Sequence, residues 1–171
     1  YDTHWFHDWN WSDTPGGLNI YHMWIGLHNG NKLPICVIGA CHNSEFNVSF
    51  FNFLKSSLEY VPTPECWSWT FTRKAGGGAI ATIGYTGLEW VATYGWDNDD
   101  IPDCTQYYSG YIDSRFFHAY GVDGIEILGE AWGKAITEYL DKFPEMKNKW
   151  DCKTVQQWLL LGDPSLKIGG Y

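Results

Sequence analysis

The chain has 171 residues, 44% of them hydrophobic, with 11 Trp, 11 Tyr and 9 Phe. That is enough apolar side chain for one sizeable core, which excludes a disordered chain and predicts a single domain over residues 1–171. Lys and Arg total 11 against 20 Asp and Glu, a formal charge of −9 that speaks against a nucleic-acid partner or an anionic membrane surface.

Residues 1–17 are rich in Trp, His, Asp and Gly without any period and read as an aromatic loop. In LNIYHMWIGLHNG, Leu18, Tyr21 and Ile25 share one helical face and Asn29-Gly30 is a natural stop, so a short helix is expected. Leu33 to Ala40 is an apolar run rich in β-branched residues, suited to a strand buried on both faces, and Gly78 to Gly84 is a second. Phe46–Leu58 and Glu65–Lys74 read as helical between them. Strand, helices, strand implies parallel pairing of the two runs through a crossover, hence an α/β fold with a mostly parallel sheet flanked by helices.

Residues 85–124 carry Asp, Gly and Tyr without sustained period and read as a long surface excursion. Ile127–Phe143 sets Leu128, Trp132, Ala135, Ile136, Tyr139 and Leu140 at helical spacing, predicting an amphipathic helix closed by Pro144 with that stripe in the core and the helix packed on the sheet. TVQQWLLLGDPSLKI ends the chain with an apolar run meeting a Gly-Asp-Pro-Ser turn. No run reaches the roughly 18–20 apolar residues of a membrane span. Tyr1 follows no Met and opens no signal-type segment, so the chain reads as processed or cut from a longer precursor.

Cys36, Cys41, Cys66, Cys104 and Cys152 show no Cys-x-x-Cys spacing, which gives a zinc site little support. Cys41 follows the first apolar run directly. In an open α/β sheet, ligands sit beyond the carboxyl ends of the strands, so chemistry is expected where Cys41 stands. A helix starting near Asn43 or Ser44 would favour its thiolate; the bland alternative is a buried cysteine at a strand end. His42 is expected to point to the opposite face of an extended backbone and to bond locally.

ACHNSEF in that setting resembles the nucleophile segment of the gingipain-type cysteine peptidases, which have a caspase-like α/β fold. TPECWSWTFTRKAGGGAIATIG resembles the family's next helix and strand, ILGEAWGKAITEYL its late helix, and LLLGDPSLKI the Gly-Asp-Pro-Ser-Leu closing of the catalytic domain. These blocks stand in family order and match its C-terminal, nucleophile-bearing part.

The resemblance implies a secreted, extracellular or cell-surface endopeptidase in which Cys41 attacks the scissile carbonyl and forms an acyl-enzyme. The family's histidine lies in a Gly-His-Gly motif that this chain lacks. If Trp5 matches the tryptophan after that motif, the histidine precedes Tyr1, on an upstream segment or chain of the same precursor; otherwise His7, or His4, takes the role. Trp90 resembles the aromatic wall of the family's specificity pocket, against a plain packing role. No cofactor is required, although calcium occurs in the family and Trp96–Asp103 (WDNDDIPD) offers oxygen ligands, against a solvated acidic loop. A protein or peptide substrate is expected. Two other classes stay open: a non-catalytic gingipain-like structural or binding protein, and an unrelated cysteine-dependent α/β hydrolase such as an amidase.

Overall fold

β-branched runs and helix-period stretches alternate along the chain, and the structure, a computed structural model, describes them over residues 18, 20–48, 65–93, 99–146 and 148–170. The chain forms two compact units, Tyr1–Leu88 and Glu89–Tyr171. Helices and three short strands among the described residues make it an α/β protein.

The first unit opens with α1, Ile20–Gly26. Its buried face carries Ile20 and Met23, one turn apart, and these pack with Trp67, Phe71 and Ala79. The expected stripe was out of phase: Ile25 is 79% exposed. Leu18 does pack against this cluster, and its carbonyl accepts the Trp67 indole N–H at 2.6 Å. The expected stop is present, with Gly30 at φ 58°. Asn29 donates from Nδ2 to the Gly78 carbonyl at 2.8 Å and accepts the Gly78 N–H at 2.6 Å, tying the turn after α1 to the approach of the second strand.

Strand β1 is Ile35–Val37 and β2 is Ala81–Tyr85; they pair in parallel, Ile35 opposite Ala81 and Val37 opposite Ile83. Single bonds extend the ladder at each end, Ile80 N–H to Pro34 carbonyl and Ile38 N–H to Ile83 carbonyl. β2 is buried at all five positions, whereas β1 is half-buried, not enclosed on both faces as its apolar sequence suggests. Between them in sequence lies α2, Trp67–Thr72, inside the expected Glu65–Lys74. The Thr70 and Thr72 hydroxyls turn inward to the Cys66 and Ser68 carbonyls, and Trp67 meets Phe71 edge-on. The expected helix over Phe46–Leu58 lies almost wholly outside the described residues.

The second unit corrects the reading of residues 85–124 as an irregular excursion. After residue 102 the chain is helical: α3 is Asp103–Gln106 and α4 is Tyr108–Gly121. Ile112, Phe116 and Ala119 are buried at i, i+4 and i+7 of α4, a helical period that the surrounding Tyr, Gly and Asp obscure. α5, Leu128–Lys142, follows the expected helix closely. Its Leu128, Ala131, Ala135 and Tyr139 are buried; Trp132 and Ile136 are half-buried and Leu140 is 39% exposed, so the core stripe is narrower than expected.

Asn148 caps α6, Lys149–Gln157, by accepting from the Trp150 and Asp151 N–H groups at 2.8 Å each. β3, Trp158–Leu161, follows directly. The Gly-Asp-Pro-Ser turn then returns the chain antiparallel to the start of α5: Leu128 N–H donates to the Leu166 carbonyl, Gly129 to Pro164, and Ile168 to Glu126. Inside this unit Tyr139 donates its hydroxyl to Asp151 at 2.8 Å, and burial, reinforced by that carboxylate, pushes the phenol's pKa well above its ordinary value.

Two substitutions test these supports. Gly78 sits at φ 89° and an added Cβ would come within 2.2 Å of the Phe71 carbonyl oxygen, so Gly78→Ala should cost about 2–4 kcal/mol, read as a lowered urea midpoint. Tyr139→Phe leaves the buried Asp151 short of a donor and should cost about 1–3 kcal/mol by the same measurement.

Candidate active site

Past Ile38 the first strand ends and residues 41–44 form a turn, with Cys41, half-buried and unbridged, at its start. None of the five cysteines is in a disulfide, as expected for Cys41. Burial pushes the thiols of Cys36 and Cys66 above the ordinary thiol range, as suits packed and inert sulfur.

The helix expected to begin at Asn43 or Ser44 is absent; through Val48 the chain makes turns. The physical reason is Asn43, whose side chain bonds back to the strand end. From full burial its Nδ2 donates to the carbonyls of Ile38 at 3.1 Å and Ala40 at 2.8 Å, while Oδ1 accepts the Tyr85 N–H at 2.8 Å. The Asn43 carbonyl accepts the Ser68 N–H at 2.9 Å from the first turn of α2. One residue thus ties the end of β1, the end of β2 and the head of α2 around the turn that carries Cys41.

Ser44, equally buried, donates its N–H to the Tyr85 carbonyl at 3.0 Å and places Oγ 2.7 Å from the Ser68 hydroxyl. Gly84 makes room for this: an added Cβ would lie 2.2 Å from Asn43 Oδ1 and 2.6 Å from Ser44 Oγ. Asn43, Ser44, Ser68 and Gly84 were not singled out from sequence. The available signal was an Asn two residues past a strand-end cysteine, facing a glycine inside an otherwise β-branched strand.

His42 does bond locally, but not from an extended backbone. Its φ is 56°, in the left-handed region. Its N–H donates to the Gly87 carbonyl at 2.9 Å, its carbonyl accepts the Glu45 N–H at 3.3 Å, and its Nδ1 pairs with the Glu45 carboxylate.

His4 and His7 lie outside the described residues. Trp90 belongs to the second unit, half-buried, its ring 3.7 Å from that of Trp150 and its carbonyl accepting both the N–H and the hydroxyl of Ser109. Its indole Nε1 is buried and has no hydrogen-bond partner among the described residues. Beside it in sequence, burial raises the carboxyl pKa of Glu89, against the pull of a Ser109 hydrogen bond.

In WDNDDIPD, Trp96, Asp97 and Asn98 lie outside the described residues. Asp99 accepts from the Ile101 N–H and from Gln106 Nε2, an arrangement that anchors the loop to α3. Among the described residues no three His, Cys, Asp or Glu side chains are grouped as a metal site.

Against known proteins, the family model of peptidase family C25 matches residues 22–169. No curated protein and no solved structure matches. The matched span includes Cys41, the Asn43 turn, α2, β2 and the Gly-Asp-Pro-Ser return.

Because Asn43 satisfies two carbonyls and one amide from inside the fold, Asn43→Ala should cost about 2–4 kcal/mol and speed hydrogen exchange at the Tyr85 amide. Asn43→Asp keeps the acceptor but loses both donors, so it should not restore stability. Wild-type exchange at Tyr85 in Asn43→Ala would show that the turn is held by other bonds.

Proposed function

The chain belongs to peptidase family C25, and from that premise we propose that it is a cysteine endopeptidase, acting outside the cell or at its surface, whose nucleophile is Cys41. The family makes it a peptidase with protein substrates. The residue and the mechanism are our reading, carried by one observation: an unbridged cysteine four residues past the carboxyl end of a parallel strand, on a turn held by buried polar bonds. That is where α/β sheets place their chemistry.

In this reading the Cys41 thiolate adds to the scissile carbonyl carbon, the C–N bond breaks, and the amine leaves with a proton from a histidine. Water then attacks the thioester, releasing the carboxylate and restoring the thiol. The candidate oxyanion donors are the amide of Cys41 and one from a neighbouring glycine-containing turn. The histidine is supplied by an upstream segment of the precursor, or by His7 or His4. Trp90 is the candidate wall of the specificity pocket, and a caspase-like sheet is the architecture that fits this order of blocks.

The test is hydrolysis of a panel of peptide amides by the full-length protein. Cys41→Ser should leave the urea midpoint nearly unchanged and remove essentially all turnover. His7→Ala and His4→Ala separate the in-chain candidates from an upstream histidine, since only the true partner should lower kcat by a factor of about 10^2–10^4. Turnover retained in Cys41→Ser would overturn the assignment, and an inactive wild type would favour the non-catalytic relative.

A further inference from the structure

The indole proposed as the pocket wall is held from two sides, and not by its own polar atom: Trp90 Nε1 has no hydrogen-bond partner among the described residues. Its backbone is fixed instead by Ser109, which donates to the Trp90 carbonyl twice, from its N–H at 3.1 Å and from its hydroxyl at 2.8 Å. Its ring lies against that of Trp150, the centroids 3.7 Å apart and the planes 36° from parallel. The Lys149 ammonium lies 4.1 Å from the centre of the Trp150 ring, a cation–π contact that helps to hold that ring in turn.

Both grips start from one strained point. Tyr108, at the head of α4, has φ 49°, a left-handed backbone that a bulky residue adopts only when its surroundings impose it. The next residue, Ser109, is fully buried and makes the two bonds to Trp90. An added Cβ at Gly110 would run into the Cys104 carbonyl oxygen, so the segment has no slack. The Tyr108 hydroxyl is hydrogen-bonded to the Asn148 side chain, which caps α6 through the Trp150 and Asp151 amides. Residues 108 and 109 thus reach Trp90 directly and Trp150 through its cap. Along the chain, Trp90 stands three residues after Gly87, whose carbonyl accepts the N–H of His42, the neighbour of Cys41.

We propose that Ser109 and Trp150 are positioning residues for substrate selection: they set the backbone and the ring plane of Trp90, against which a substrate side chain is sorted. The inference rests on the reading of Trp90 as the pocket wall. A wall kept in one orientation lets binding energy differ between side chains, whereas a wall that turns adapts to each of them and discriminates less.

The test uses the full-length protein and peptide amides that differ only in the residue before the scissile bond. Trp90→Ala, Trp150→Leu, Trp150→Phe and Ser109→Ala are compared with wild type, each with its urea midpoint. Trp150→Leu fills most of the space but offers no aromatic face. It should narrow the spread of kcat/KM across the panel by about three- to tenfold, the scale of an aromatic pair, and raise KM for the preferred substrate more than it lowers kcat. Ser109→Ala keeps the amide bond and loses the hydroxyl, so it should narrow the spread less, and Trp150→Phe should recover most of the wild-type spread. The circular-dichroism couplet of two stacked indoles should vanish in Trp150→Leu and weaken in Ser109→Ala. A purely structural role would lower kcat for every substrate by the same factor and leave the ratios as they were.

Wild-type ratios in Trp150→Leu and Ser109→Ala, with the ratios lost in Trp90→Ala, would overturn this inference alone. Ratios unchanged in Trp90→Ala would remove Trp90 as the wall, and this inference with it. A wild type inactive on every substrate would sink the peptidase reading on which both depend.

Discussion

The first unit is organised around the buried side chain of Asn43. An amide in a β-strand setting normally stays at the surface, because burying it unpaired costs a few kcal/mol. Here it is fully buried and fully used: two donors close the end of β1, one acceptor takes the amide of Tyr85, the last residue of β2, and the backbone carbonyl meets the head of α2. A polar group that satisfies three chain segments at once can sit in only one place. The position of Cys41, two residues earlier, follows from it.

The demand propagates to other positions. Asn43 Oδ1 can approach β2 only because residue 84 lacks a side chain, and Ser44 and Ser68 complete a small polar interior beside it. At the other end of the same strand pair, Asn29 does a similar job for the turn after α1, clasping Gly78, whose φ and close approach to the Phe71 carbonyl leave no room for a Cβ. Asn43, buried, and Asn29, half-buried, each face a glycine and together frame the parallel ladder, while Ile20, Met23, Trp67 and Phe71 supply the apolar burial. Polar residues set the geometry and apolar ones the stability.

In the second unit aromatic side chains carry more of the packing. Trp158 meets Phe116 and Trp132, and its indole N–H donates to Asp113 at 2.9 Å, which anchors a large ring by its one polar atom. Tyr139 to Asp151 joins α5 to α6 inside the core. The Gly-Asp-Pro-Ser segment, one of the blocks that resemble the gingipain peptidases, has a structural role: it returns the chain so that Leu166 and Pro164 accept the first amides of α5. Asp163 forms the turn by accepting from both the N–H and the hydroxyl of Ser165, which holds its carboxyl below the usual range.

The sequence by itself determined the α/β class, the parallel pairing of the two β-branched runs, helices near 20, 67 and 128, and the family. Each of these rests on local period or on short motifs in order, which survive whatever the chain does elsewhere. It misjudged α4, where Ile112, Phe116 and Ala119 keep helical spacing but their tyrosine and glycine neighbours hide it, and it put α1 out of phase. Only the tertiary structure decided that Cys41 is followed by a turn rather than a helix, that His42 is left-handed and paired with Glu45, and that Asn43 belongs to the interior. The burial of Asn43 and the turn it holds depend on bonds between residues 25 and 42 positions apart, Asn43 with Ser68 and with Tyr85. No local pattern encodes them, because the partner that makes a buried amide affordable arrives only when the two strands are side by side.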